Sequence, residues 1–207
     1  MTSAGTPGRR LRADAERSRA AILDAATSLL SEQPDAGLAA VATRAGVTRQ
    51  TVYAHFASRE DLVGAVIDRV TQEAMAAMDA AELDAGPASA AVLRLLDIGW
   101  QTFERHTALL RAATPTAAEH GGDRAGADHE PVTDRLLRLI ERGQRAGEFD
   151  PDQSPAWLVA ATIALGHAAG EEAAAGRVPR DEAAASLRTS VLRALGAGGA
   201  AGRGPRD

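Results

Sequence analysis

Residues 38–56 read LAAVATRAGVTRQTVYAHF, and the reading of the whole chain turns on them. Their spacing predicts two short helices, Leu38–Ala45 and Arg49–His55, joined through Gly46, a residue free to take the positive φ of a tight turn. Val41, Val47 and Val52 fall where they would pack between the helices, with the small Ala42 at the crossing. Thr48 is an N-cap type directly before the second helix. Thr48, Arg49, Gln50, Thr51 and Tyr53 then face outward at that helix's start. Such side chains bond phosphate oxygens and base edges, the work of a recognition helix. An ordinary corner between two helices has similar spacing, so the stretch alone leaves both readings open.

Upstream, Asp14 caps a helix to about Glu32 whose apolar stripe is Ile22, Ala25, Ala26, Leu29 and Leu30. Pro34, Asp35 and Gly37 break it. Met1–Ala13 has no apolar period and reads as a mobile basic tail; its Arg9, Arg10 and Arg12 form a minor-groove arm or simply stay solvated. It has no apolar h-region, so it is not read as a secretory signal. Downstream, Ser58 caps a long helix, about Arg59–Leu83, with Leu62, Val66, Val70 and Met78 at helical spacing. A helix from Ala90 to about Ala113 follows, with a break near His106. Thr114–Glu130 holds Pro115, Gly121, Gly122 and Gly126 and no large apolar residue, and reads as irregular. Helices resume from Pro131 to Gly147, from Asp152 or Ser154 to Ala175, and from Pro179 to Leu195. The expected fold is all-α, about nine helices with no strand. The expected division is a tail over 1–13, a helix-turn-helix domain over 14–58, a helical domain over 59–195 and a flexible tail over 196–207.

Composition agrees with helices. Ala supplies 48 of the 207 residues, beside 20 Leu, 11 Val, 5 Ile and 3% aromatics, so β-formers are scarce. The absence of Cys excludes a disulfide framework and any thiolate site. No apolar run approaches the ~18 residues of a membrane span, which makes a soluble, cytoplasmic protein the expectation. A net charge of −5 seems to argue against nucleic acid, but it is an average. Residues 1–59 carry eight Arg and five acids, net +3, whereas 60–207 carry fifteen Arg and 23 acids, net −8. A basic head on an acidic body is the pattern of a small anion-binding module attached to something else.

Residues 45–62, AGVTRQTVYAHFASREDL, closely resemble the signature of the TetR family of transcriptional regulators. Ile22-Leu23-Asp24-Ala25-Ala26 before it and Leu62, Val66 and Ile67 after it extend the similarity over about residues 14–70. The connection Gln33–Leu38 is shorter than is usual in the family, Gly37 replaces a frequent Ser or Thr cap, and Arg59 replaces a usual Lys. The resemblance implies that Thr48 caps the reading helix and touches phosphate, while Arg49 and Gln50 face base edges. It implies backbone or thymine-methyl contacts for Thr51, Tyr53 and His55, with packing as the alternative for Tyr53 and His55, and a phosphate contact for Arg59. A homodimer would set two reading helices roughly 34–36 Å apart on palindromic double-stranded DNA.

The remaining residues show no Gly-rich phosphate loop and no nucleophile elbow. His106, His120, His129 and His167 lack metal spacing, so no cofactor, metal or catalytic residue is expected. The family likeness implies a small-molecule pocket between helices; Met75, Met78, Trp100, Phe103 and Trp157 line it or fill the core. The stretch from Trp157 to Ala175 is apolar around its whole circumference and needs a covering partner. Trp157, Ile163, Gly166 and Gly170, with Leu187, Val191 and Leu195 of the last helix, would form a four-helix seam with a second copy. A helix central to one monomer is the alternative. The expectation is a repressor, homodimeric on a palindromic operator and released by a small-molecule effector. Its rivals are a regulator governed by a protein partner and a helical enzyme on a DNA-binding scaffold.

Overall fold

The computed structural model describes residues 7–119 and 123–197, with side chains for 12–107, 109 and 132–197. All regular structure among the described residues is helical: α1 Pro7–Glu32, α2 Leu38–Ala45, α3 Arg49–His55, α4 Arg59–Ala80, α5 Ala88–Glu119, α6 Asp123–Arg145, α7 Pro155–Ala174 and α8 Arg180–Ala194. Helix α5 is broken at His106 (φ −125°, ψ 22°), where the sequence suggests a break. Counting its two parts separately restores the expected nine. The chain forms two compact units, Met1–Thr71 with His106–Thr116, and Gln72–Arg105 with the chain from Ala117 on.

The first unit is built on α1. This helix begins at Pro7, a turn and more before the expected Asp14. Proline is tolerated in a first turn, and the Arg, Leu and Ala that follow are good helix formers. An apolar period cannot reveal such polar turns, which explains the difference. Farther on, Ile22, Ala26 and Leu30 are buried with Val41 of α2, Val52 of α3, and Leu62 and Val66 of α4. The segment of α5 after its break contributes Leu109 to this core. Ser31 Oγ lies 3.2 Å from His106 Nδ1 at the break itself.

The second unit surrounds Val92, Leu95, Leu136, Ile140, Leu158 and Val191. Thr114–Glu130, expected to be irregular, is instead helical up to Glu119 and again from Asp123. Its Ala, Glu and Arg residues sustain helix without an apolar stripe. Phe149 lies in a notch on α6 that exists because residue 143 is Gly; a Cβ there would stand 2.1 Å from the ring. Glu148 accepts hydrogen bonds from Ala88 N (2.8 Å), Ser89 N (3.0 Å) and Ser89 Oγ (2.8 Å), and so caps α5 from a distant loop. The Ser89 amide, with further bonds and Arg142 nearby, lowers its pKa below the usual carboxylate range. Helix α4 stops at Ala80, short of the expected Leu83. Glu82 turns to φ 48°, and Arg94 collects the carbonyls of Ala81, Glu82 and Ala85.

Candidate nucleic-acid interface

The turn between α2 and α3 is shaped by two backbone devices. Gly46 takes φ 67°, ψ 26°, while Val47 N donates to Ala42 O at 3.0 Å, so the last carbonyls of α2 are satisfied in a left-handed stop. Thr48 then adopts an extended conformation, and its Oγ1 accepts from Thr51 N at 3.1 Å, capping α3 as its sequence position suggests. The two threonine hydroxyls are also bonded to each other at 2.8 Å, which fixes both rotamers. Val52 and Phe56 anchor the inner side of α3.

The 3.6-residue period decides what is left outside. Arg49, Gln50 and Tyr53 are exposed on the face away from Val52, with Thr48 at the helix start; Tyr53 is 57% exposed. The structure thus brings together four of the expected contacts. Thr51 is half-buried and committed to Thr48, and His55 is half-buried beside Phe56, 6.4 Å between ring centroids. Ala54 shares the outward face, a site the sequence reading overlooks because alanine bears no polar group.

Arg59, expected at a phosphate, is engaged within the head itself. Its Nε donates to Ala36 O at 3.3 Å and its Nη2 to Pro34 O. The guanidinium therefore holds the α1–α2 turn against the first residue of α4, whose own start is fixed by a reciprocal Ser58–Asp61 capping box. Arg44 similarly braces α2 on α1 through Ser28 Oγ and Glu32, both at 3.1 Å, and Arg19 lies over the Phe56 ring at 5.3 Å. Arg17 pairs with Asp14. Four of the head's eight arginines are thus committed internally, whereas Arg49 has no ionic partner among the described residues. The side chains of Arg9 and Arg10 lie outside the described residues; Arg12 is exposed.

The second unit places the expected seam and pocket residues in different surroundings. Leu187, Val191 and Leu195, expected at a seam with a second copy, are buried in the core of their own unit. Gly170 is buried against Phe103, where a Cβ would stand 3.2 Å from the ring. Ile163 packs partly buried on the same core, whereas Gly166 is half-buried with open space where a Cβ would stand. Apolar spacing reports burial but not whether one chain or two supply the cover. Trp157 faces outward, 64% exposed. Met78 is core, Met75 and Trp100 pack on that core, and Phe103 stacks on Trp100 with centroids 5.4 Å apart. The gap beneath Trp100, bounded by Leu96, Ala184 and Leu187, has no room for a water. A cleft of about 560 Å³ instead lies at the end of α4, against α6.

Comparison with known proteins bears on this head directly. Residues 22–66 match the model of the bacterial regulatory proteins of the tetR family. Over 186 residues, 87% of this chain and 91% of the relative, it is 32% identical to the HTH-type transcriptional repressor LfrR of Mycolicibacterium smegmatis. The chain belongs to the TetR family. A solved structure of LfrR in complex with proflavine superposes with a TM-score of 0.64 at 26% identity, covering 87% of this chain and 97% of that one. The A-factor receptor protein of Streptomyces griseus is 31% identical over 150 residues, 69% of this chain but 49% of its own length. As a TetR-family transcriptional regulator, the chain carries its reading helix on a domain braced by three internal arginine contacts, from Arg19, Arg44 and Arg59.

Proposed function

We propose that the protein is a cytoplasmic repressor that binds a palindromic operator as a homodimer and leaves it when a small molecule binds the second unit. The observation that carries the DNA reading is the outward face of α3, where Arg49, Gln50 and Tyr53 project beside a hydroxyl-capped N-terminus. Arg49 is the residue fitted to a guanine edge by a bidentate pair, and Gln50 to adenine. Tyr53 would bond a phosphate. The ligand reading is supported by LfrR, whose solved structure is a complex with proflavine. Its role here is regulatory, and the relatives are regulators too.

The dimer reading keeps Trp157 of the expected seam and draws on the exposed side of α7. On α7 the exposed residues Trp157, Ala160, Ala164 and Ala168 recur at three- and four-residue spacing on one side. Small side chains there permit close approach of a second copy, and Trp157 supplies an aromatic anchor. Selection of bound fragments from a random DNA pool tests the proposal. The expected product is a palindrome with half-sites one helical turn apart, and Arg49→Ala binds it at least tenfold more weakly, the ~1.4 kcal/mol of one base contact. No enrichment, or unaltered binding by the variant at fixed salt, would overturn the assignment. A regulator closed to ligands and controlled by a protein partner is the second reading, favoured by the filled space beneath Trp100.

A further inference from the structure

Helix α3 buries Val52 and leaves Arg49, Gln50, Tyr53 and Ala54 exposed. At ~100° per residue these four positions are not equivalent. Gln50 and Ala54 each lie about 160° around the axis from Val52, against about 100° for Tyr53 and about 60° for Arg49. The row opposite the core is therefore Gln50 and Ala54, and it faces most directly whatever α3 is laid against. Arg49 and Tyr53 reach the same partner from beside that row, with longer side chains. Ala54 is exposed, outside the core that Val52, Phe56 and Leu62 build. It presents a bare methyl where the other three outward residues carry polar tips.

A helix laid in the major groove sets the side chains opposite its core against base edges. Those edges are mostly hydrogen-bonding atoms, and covering one with a methyl desolvates it without a partner. The apolar group among them is the C5-methyl of thymine. We infer that Ala54 is a specificity-determining residue that packs on the C5-methyl of a thymine in the operator. Gln50 precedes it by one helical turn, ~6 Å along the axis. The thymine therefore belongs within about two base-pair steps, of about 3.4 Å each, of the base that Gln50 reads. The inference rests on the DNA reading proposed above and adds a base preference to the same helix.

Deoxyuridine in place of thymidine removes the methyl and keeps the base pair, so it is placed at one position at a time in the selected operator. One such position in each half-site should lose about fourfold in affinity, the ~0.8 kcal/mol of one buried methyl-sized group. It should lie beside the base whose preference Gln50→Ala relaxes, and Gln50→Ala itself should keep the thymidine preference. Ala54→Gly should bind the thymidine and deoxyuridine operators alike. Ala54→Asn, better tolerated in a helix than glycine, sets an amide against that position and should also lose the preference. Comparing two operators within one variant cancels any loss of folded protein. An operator with no thymidine sensitive to the replacement would overturn the inference and leave the DNA reading standing. So would a sensitivity that survives in either Ala54 variant, or one distant from the Gln50 base. A protein that selects no operator refutes the DNA reading and this inference with it.

Discussion

Single residues in this protein divide between those that face the partner and those that hold the face in position. Arg49 and Tyr53 are exposed and make no contribution to the core, so replacing either by Ala should cost operator affinity while leaving the thermal midpoint within a degree or two of wild type. Arg59 should behave differently because its guanidinium is occupied by the Pro34 and Ala36 carbonyls. Arg59→Gln should lower stability by about 1–2 kcal/mol, as the loss of charged hydrogen bonds does. Its operator affinity should fall with the slope of log K against log salt unchanged. A phosphate contact would instead reduce that slope by about 0.9. Binding measured from 50 to 200 mM salt, the range over which such slopes are read, discriminates between them. Gly143→Ala drives a methyl into the Phe149 ring, and urea unfolding should show a loss of about 1–3 kcal/mol.

Elements are fixed by caps more than by propensity. Helix α3 has only seven residues and could not persist alone. It exists because Thr48 caps it and Val52 and Phe56 bury its inner side. Thr48→Ala should therefore cost about 1 kcal/mol of stability, with Thr48→Ser recovering most of it. The start of α5 depends on Glu148, whose carboxylate takes two amides and a hydroxyl. Because its folded pKa lies below the unfolded value of 4.5, its contribution is present above that pH and is lost as pH falls through the folded value. Urea midpoints of wild type and Glu148→Gln should thus differ at pH 7 and converge as the pH falls below 4.5 and through the lowered folded value; a difference that stays constant as the pH is lowered would refute the cap. The helix-turn-helix was legible because every signal in it is local: a left-handed glycine, a hydroxyl cap, and valines at fixed spacing. The polar first turns of α1 and the helical stretch around Thr114–Glu130 were not, since helices without an apolar stripe leave no period to read.

At the scale of the molecule, association should be governed by the outer face of α7. Trp157→Asp should leave the folded monomer intact, because the ring is 64% exposed, and should shift light scattering toward the monomer mass at micromolar concentration. Leu187→Asp, by contrast, should unfold the second unit rather than divide a dimer, since that side chain is buried within one chain. The sequence by itself determined the helical class, the reading head with its cap and its outward Arg49, Gln50 and Tyr53, and the separation of a basic head from an acidic body. These follow from local geometry and from charge, which need no knowledge of what packs where. Tertiary structure alone decided that Leu187, Val191 and Leu195 face their own core, that Phe103 closes over Gly170, and that Arg59 holds a turn. It also decided that the open volume lies at the end of α4 and not beneath Trp100. Burial in a chain rich in alanine and leucine is a property of neighbours distant in sequence, and a helical stripe specifies only that it must be covered, not by what.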